Sequence, residues 1–303
     1  MVDAESVETR AIATTRIEPG AFDGWGSGLL GVIIFSGSLP ATRVAVAGFT
    51  PLFLTSARAL IAALLAAVLL FALRQPRPSG KDLASLTVVA LGVVIGFPLL
   101  TALALRHMTS AHSIVFIGLL PLSTAVFGVL RGGERPKPLF WLFSILGSAT
   151  VVAFALSGGG SGSPMGDLSM IAAILLCGLG YAEGGKLARR LGGWQVISWA
   201  LVLAAPLMAL LTLLTLPASW QDIGMPAYVG LGYVSVFSML VGFVFWYRGL
   251  ARGGIARVGQ LQLLQPFFGL ALAGLLLGEP VAWTMVAATG AVVLCVGLAR
   301  KYA

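Results

Sequence analysis

Charged side chains are so sparse in this chain that the gaps between them outline its architecture. Asp, Glu, Lys and Arg make up 10% of its 303 residues, against about 25% in soluble domains. Between the charges run stretches dominated by Leu, Val, Ala, Ile and Phe. Roughly 20 such residues form a helix long enough to cross a bilayer core about 30 Å thick. Lipid offers no hydrogen bonds, so a spanning segment must satisfy its own backbone, which an α-helix does. The charge gaps give spans near 25–45, 51–73, 84–105, 109–130, 138–156, 168–187, 194–216, 226–248, 255–277 and 281–299. Pro51, Pro138, Pro226 and Pro280 stand at or near helix starts, where a missing N–H costs little. The stretches SGGGSGSPMG (157–166) and PASWQDIGMP (217–226) read as loops from their Gly, Ser and Pro content. The expected fold class is all-α: a polytopic membrane protein with ten transmembrane helices.

A hydrophobic content of 58% excludes both disorder and an ordinary soluble domain. The net charge of +8 would point to nucleic acid in a soluble protein; here its distribution matters more, and no nucleic-acid partner is expected. With the N-terminus placed inside, 16 of the 19 Lys and Arg residues fall in inside segments and only Arg43 and Arg106 outside, while Arg58 lies within span 2. The positive-inside rule then predicts cytoplasmic termini and an even number of spans. Residues 1–23 carry seven charges and no apolar core, so they read as a cytoplasmic tail and not as a cleavable signal or transit peptide. Cys177 and Cys295 both lie in apolar stretches and read as small buried hydrophobes. No disulfide framework, metal or cofactor is implied.

The chain also contains a repeat. Residues 105–134 align without gaps on 250–279, pairing Leu105 with Leu250, Ala111 with Ala256, Leu119 with Leu264, Pro121 with Pro266, Leu130 with Leu275, and Gly133-Glu134 with Gly278-Glu279. Each mid-helix proline stands 12 residues before the Gly and 13 before the Glu of its Gly-Glu pair. Each half then holds five spans, an odd number, so the second half enters the membrane from the opposite side. The expected organisation is a tail (1–23), a first five-helix repeat (24–156), a loop (157–166), an inverted second repeat (167–299) and a short C-terminus (300–303). Inverted repeats place a substrate site near the midplane, between the halves, and support alternating access.

Two five-span halves, each closing with a mid-span proline, a Gly-Glu pair and a final helix, resemble the drug/metabolite transporter superfamily in its ten-span EamA-type branch. The alanine-rich starts of spans 4 and 9, Pro121, Pro266, both Gly-Glu pairs and Arg58 carry the likeness, which covers roughly residues 24–299. The resemblance implies a bacterial inner-membrane protein in which spans 1, 3, 4, 6, 8 and 9 enclose a central cavity while spans 5 and 10 lie at the periphery. It also implies transport of amino acids or other metabolites.

Several residues are candidates for the cavity lining. His112 and Phe116 share a face of span 4 with Thr109 and Ser123. An intramembrane His needs water or a partner, so His112 either lines the outer half of the cavity or makes a helix-packing bond. In span 9, Gln262 and Gln265 share a face and Gln265 precedes Pro266. These amides either bind substrate or bond neighbouring helices. Span 8 offers Ser238 and Trp246, its repeat partner offers Phe97 and Thr101, and spans 1 and 6 offer Ser36 and Tyr181. Pro121 and Pro266 are the candidate hinges, because proline removes one backbone hydrogen bond. Arg58 is expected to snorkel outward or to bond backbone carbonyls, and Glu183 to pair near the inner surface with Lys186. Glu134 and Glu279 are expected to stabilise loops.

Gly26, Gly28 and Gly31 match a dinucleotide fingerprint, but they open a membrane helix and no βαβ unit surrounds them. The pairs Gly92/Gly96, Gly180/Gly184 and Gly274/Gly278 fit close helix contacts, and a monomer is enough to explain them. The chain lacks H-E-x-x-H and G-x-S-x-G, which argues against a membrane enzyme. A lining of aromatic, amide and hydroxyl groups suits neutral or zwitterionic small molecules, amino acids first, exported without a titrating mid-membrane carboxylate. The alternatives are another metabolite or a cationic drug, for which Glu183 is the candidate acid.

Overall fold

The computed structural model describes residues 19–132, 137–156, 163–253, 258 and 260–301. The tail 1–18, Gly133, Glu134 and most of the 157–166 loop lie outside the described residues. All the regular structure described is helical. Among the described residues, seven helical segments are long and apolar enough to cross a membrane: Gly24–Ala45, Pro51–Ala72, Gly80–Ala104, Ser110–Leu130, Pro164–Leu191, Gly193–Leu214 and Met225–Arg252. Three shorter apolar helices, Pro138–Thr150, Leu261–Leu277 and Trp283–Cys295, lie within the other three expected spans without reaching that length.

The helices are α1 (Pro19–Ser36), α2 (Ser38–Ala45), α3 (Pro51–Ala72), α4 (Gly80–Val89), α5 (Phe97–Ala104), α6 (Ser110–Ile117) and α7 (Leu120–Gly132). They continue with α8 (Pro138–Leu156), α9 (Pro164–Leu191), α10 (Gly193–Leu214), α11 (Met225–Tyr233), α12 (Gly242–Gly253), α13 (Gln265–Leu277) and α14 (Trp283–Lys301). The helix starts obey capping chemistry. Thr50 accepts from Phe53 N at 3.2 Å ahead of Pro51, and Ser163 accepts from Gly166 N at 3.1 Å ahead of Pro164. Ser79 and Asp82 form a capping box on α4. At the other end of α9, Gly192 has φ +95°, a conformation open to glycine and strained for other residues.

Several segments are interrupted. The first breaks at Gly37, where the Tyr233 ring fills the space a side chain would need and the Tyr233 hydroxyl donates to the Ile34 carbonyl at 2.7 Å. Gly80–Ala104 contains a π-helical stretch, Ala90–Gly96, and Met225–Arg252 another, Val234–Val241. Shifting Ala90–Gly96 by 145 residues lands inside the second stretch. The same shift carries the start of α4 onto α11, the start of α7 onto α13, and both ends of α8 onto α14.

Bilayer tails are as apolar as leucine, so helices associate through close packing and not through hydrophobic exclusion. α1 packs along α12 through glycines: a β-carbon on Gly249 would lie 2.8 Å from Gly28 N. The fingerprint-like glycines therefore serve helix contact. One on Gly92 would lie 2.6 Å from Leu176 O and 3.0 Å from Gly180 Cα, so the paired glycines of these two segments meet within the chain. α3 turns Ala59, Ala62, Ala63 and Ala66 inward and exposes Leu64, Val68 and Phe71. An alanine face inward and a leucine face outward is the arrangement a lipid-facing helix needs. α8 and α14 pack on each other.

Candidate functional site

A central cavity forms where the segments converge, with about 400 Å³ of empty space when the open solvent at its mouth is included. α1 supplies Phe35, α2 Ser38 and Leu39, α3 Arg58, the first π stretch Val93, α5 Phe97 and Pro98, and α7 Leu120. α9 supplies Tyr181, the second π stretch Ser238 and Met239, α12 Phe243, and α13 Gln265. Among the described residues, α8 and α14 contribute nothing to the lining. Three pairs of lining residues are related by the 145-residue shift: Val93 with Ser238, Pro98 with Phe243, and Leu120 with Gln265. The open space at the centre has room for little more than a single water molecule, so admitting a larger molecule requires the helices to move apart.

The polar groups are concentrated. Ser38 Oγ and Ser238 Oγ lie 2.7 Å apart, and Arg58 Nη2 donates to Ser238 Oγ at 3.2 Å. Arg58 is only 5% exposed, and its Nε finds no acceptor among the described groups. No carboxylate among the described residues pairs with it, and none of the lining residues is acidic. Gln265 Oε1 is also unbonded. Ser36 Oγ donates to Val32 O at 2.7 Å and reaches Gln265 O at 3.4 Å, fixing the backbone under that amide. The rest of the wall is aromatic. Phe35 and Phe243 meet edge to face with centroids 4.9 Å apart, and Tyr181 stands 5.9 Å from Phe243.

Of the residues singled out from sequence, Phe97, Tyr181, Ser238 and Gln265 line this cavity. Ser36 sits just behind it. Trp246 is fully buried one layer back, 6.3 Å from Phe35 and 5.7 Å from Tyr181 by ring centroids. Thr101 bonds back to the carbonyls of Phe97 and Pro98 in its own helix. Gln262 is wholly buried outside the lining, with both amide atoms unpaired. His112 Nε2 lies 2.9 Å from Asp167 Oδ1, and its ring stacks near Phe154 at 4.9 Å and Phe116 at 5.7 Å. His112 and Phe116 thus join α6 to α9 and α8 away from the cavity lining. Pro121 and Pro266 each sit in the first turn of a helix that restarts after a break, where their missing N–H leaves no ladder bond unmade.

Two expectations need correction. Arg58 neither snorkels outward nor bonds backbone: it faces the cavity and donates to a serine hydroxyl. Glu183 is not at the surface. It is 2% exposed and accepts from Ser85 Oγ at 2.5 Å, because α4 packs over that face of α9. Phe35 and Ser38, which flank Ser36 in the span 1 stretch, line the cavity too, and Arg58 and Phe243 line it without being candidates for the lining. An arginine inside a span is itself the signal for Arg58.

The arginine-poor end of the bundle is held by Glu279, next to the left-handed Gly278 (φ +61°). Its carboxylate accepts from Ser110 N at 3.2 Å, Ala111 N at 2.9 Å and Ser110 Oγ at 2.6 Å. Thr109 Oγ1 accepts from His112 N at 3.2 Å, so three of the four N–H groups that open α6 are bonded by groups at its N-terminus. At the opposite, basic end Arg190 pairs with Asp82.

Comparison with known proteins agrees with this architecture. The EamA-like transporter family matches residues 24–156 and again residues 164–300. The chain is 66% identical over 281 residues to the uncharacterized transporter YdeK of Bacillus subtilis (strain 168), covering 93% of this chain and 98% of that one. It is 23% identical to a probable terminal-alkyne amino-acid exporter of Streptantibioticus cattleyicolor, with 83% and 84% covered. A crystal structure of a protein with 20% identity superposes with a TM-score of 0.65, covering 92% of this chain and 96% of that one. The chain belongs to the EamA-like transporter family and is a multi-pass membrane protein.

Proposed function

We propose that this transporter exports small organic metabolites, amino acids first among them, by alternating access between two inverted five-helix halves. In this reading all ten helical segments cross a bacterial inner membrane and both termini are cytoplasmic. One observation carries the reading: the cavity lies at the seam of the two segments that the family matches, and positions 145 residues apart line it in pairs. Pro121 and Pro266 then mark the places where each half bends, since each stands just after a helix break. The substrate meets Gln265, Ser238, Tyr181 and Phe97 directly. His112, Phe116, Gln262, Trp246, Thr101 and Ser36 support those contacts from behind or form part of the path.

The name of the Streptantibioticus relative supports an amino-acid substrate, and we read the repeat pattern as resembling that of the bacterial amino-acid exporter YddG. A cationic drug fits poorly, because the charge in the lining is the guanidinium of Arg58. Export proceeds without a carboxylate in the lining to carry a coupling ion, and the transporter acts as a monomer. Counterflow into proteoliposomes across a panel of amino acids, nucleosides and cationic dyes tests the reading. Exchange of neutral amino acids is expected. Exchange of dyes alone would overturn it.

A further inference from the structure

We propose that Arg58 is the anchor for a carboxylate, so that a carboxylate joined to an apolar body is the obligatory feature of the substrate and an amino group is dispensable. The inference rests on the transporter reading and names the substrate class of the same cavity. Arg58 is buried in the cavity wall with one bond, to Ser238 Oγ at 3.2 Å, and a vacant Nε–H. A guanidinium carries five N–H donors in a planar fork that matches a carboxylate. A buried charge without a counter-ion carries a large desolvation cost, and the described residues supply no acidic partner. An anion bound in transit supplies one.

The neighbouring groups fit the rest of such a molecule. The Ser38 and Ser238 hydroxyls, 2.7 Å apart, can turn a donor toward a second carboxylate oxygen. Phe35, Tyr181 and Phe243 form the apolar wall for a side chain. An ammonium group meets neutral acceptors, among them the unbonded Gln265 Oε1, and no acid among the described lining residues. The cavity is therefore strongly selective for the carboxylate and weakly selective for the amine.

The test uses the full-length purified protein and three probes of similar shape: L-phenylalanine, 3-phenylpropionate and 2-phenylethylamine. Thermal shift in detergent reads binding, and proteoliposome counterflow reads transport. 3-Phenylpropionate is expected to bind and to compete with L-phenylalanine, while 2-phenylethylamine does neither. Arg58→Gln should weaken binding of both carboxylates roughly 10- to 150-fold, the value of a hydrogen bond to a charged group. Without ligand it should melt no lower than the parent, since it removes an uncompensated buried charge. Arg58→Lys, which keeps the charge but loses the fork, should fall between the two. If the Gln variant fails to fold, the competition between the three probes on the parent protein decides. Binding of 2-phenylethylamine as tight as that of 3-phenylpropionate overturns the proposal, as does unchanged carboxylate binding in Arg58→Gln. Binding of 3-phenylpropionate without L-phenylalanine would sink the amino-acid reading and leave the carboxylate anchor standing. Transport of L-phenylalanine indifferent to Arg58 would do the reverse.

Discussion

Removing the Glu279 carboxylate should loosen the arginine-poor end of the bundle in a measurable and local way. The first N–H groups of a helix have no intrahelical partner. In α6 those of Ser110 and Ala111 are bonded by Glu279, a residue 169 positions away from Ser110, and that of His112 by Thr109. Ser110 Oγ adds a third bond to the same carboxylate at 2.6 Å. Hydrogen bonds to a charged group are worth about 1.5–3 kcal/mol each, and the charge at a helix N-terminus adds about 0.3–1 kcal/mol. These terms are not additive, and water will reach the vacated site, so Glu279→Ala is expected to destabilise local structure by about 2–4 kcal/mol. Hydrogen exchange with mass spectrometry on the purified protein reads this directly. Amides of 110–113 should exchange roughly 30- to 1000-fold faster in Glu279→Ala, and those in the middle of α9 should not change. Glu279→Gln should fall in between, because it keeps one acceptor and loses the charge. Unchanged exchange at 110–113 would falsify the idea that the second half clasps the first through this carboxylate.

Other contacts give further tests. Gly249→Ala places a methyl 2.8 Å from Gly28 N with backbone on the receiving side, so the variant should lose its monodisperse peak in size-exclusion chromatography or melt well below the parent. Trp246 is fully buried behind the cavity wall, and truncating a tryptophan in a packed core costs about 3–5 kcal/mol; Trp246→Ala should lower the melting temperature before it changes selectivity. Glu183→Gln keeps the shape and an acceptor for Ser85 Oγ, and counterflow should persist if transport needs no titrating carboxylate there. A cysteine at Gln221 should label in intact cells and one at Arg77 should not, and the reverse pattern would overturn the proposed orientation.

The positions of the helices are legible in the sequence because a charge in lipid is costly, and so the charge gaps mark the spans. The helix starts are legible because Pro51, Pro138 and Pro226 fall at first turns. The facing of individual side chains is much less so, and the π stretches explain why. A face drawn at 100° per residue along span 8 carries Ser238 and Trp246 together. The stretch Val234–Val241 closes i→i+5 bonds and takes up extra residues per turn, which rotates the residues beyond it. Phe243 therefore meets the cavity and Trp246 stands behind it. The first π stretch does the same for Thr101, leaving Phe97 and Pro98 at the lining. Thr109 shares a face with His112 by helical spacing, yet it is the cap of α6. No periodicity reveals that use, since the cap lies outside the helix. Arg58 is visible as an anomaly, yet its direction depends on Ser238, 180 residues away.

The paired lining positions separate the frame from its chemistry. Val93, Pro98 and Leu120 of the first half are apolar, whereas Ser238 and Gln265 at two of the three equivalent positions are polar. Under the proposed alternating access, two equivalent gates need like backbones, and the matching π stretches and helix restarts are alike in that way. A substrate with one charged end and one apolar end needs the opposite, a lining that differs from side to side. Arg58 and Ser38 from the first half complete the polar side by meeting Ser238 from the second. That polar contact therefore joins the two family-matched segments, and under the proposed alternating access it must rearrange whenever the halves rock. An anion bridging Arg58 and the serines would then bias the balance between the two access states as well as occupy the site, since a ligand shifts an equilibrium only by binding one state better than the other.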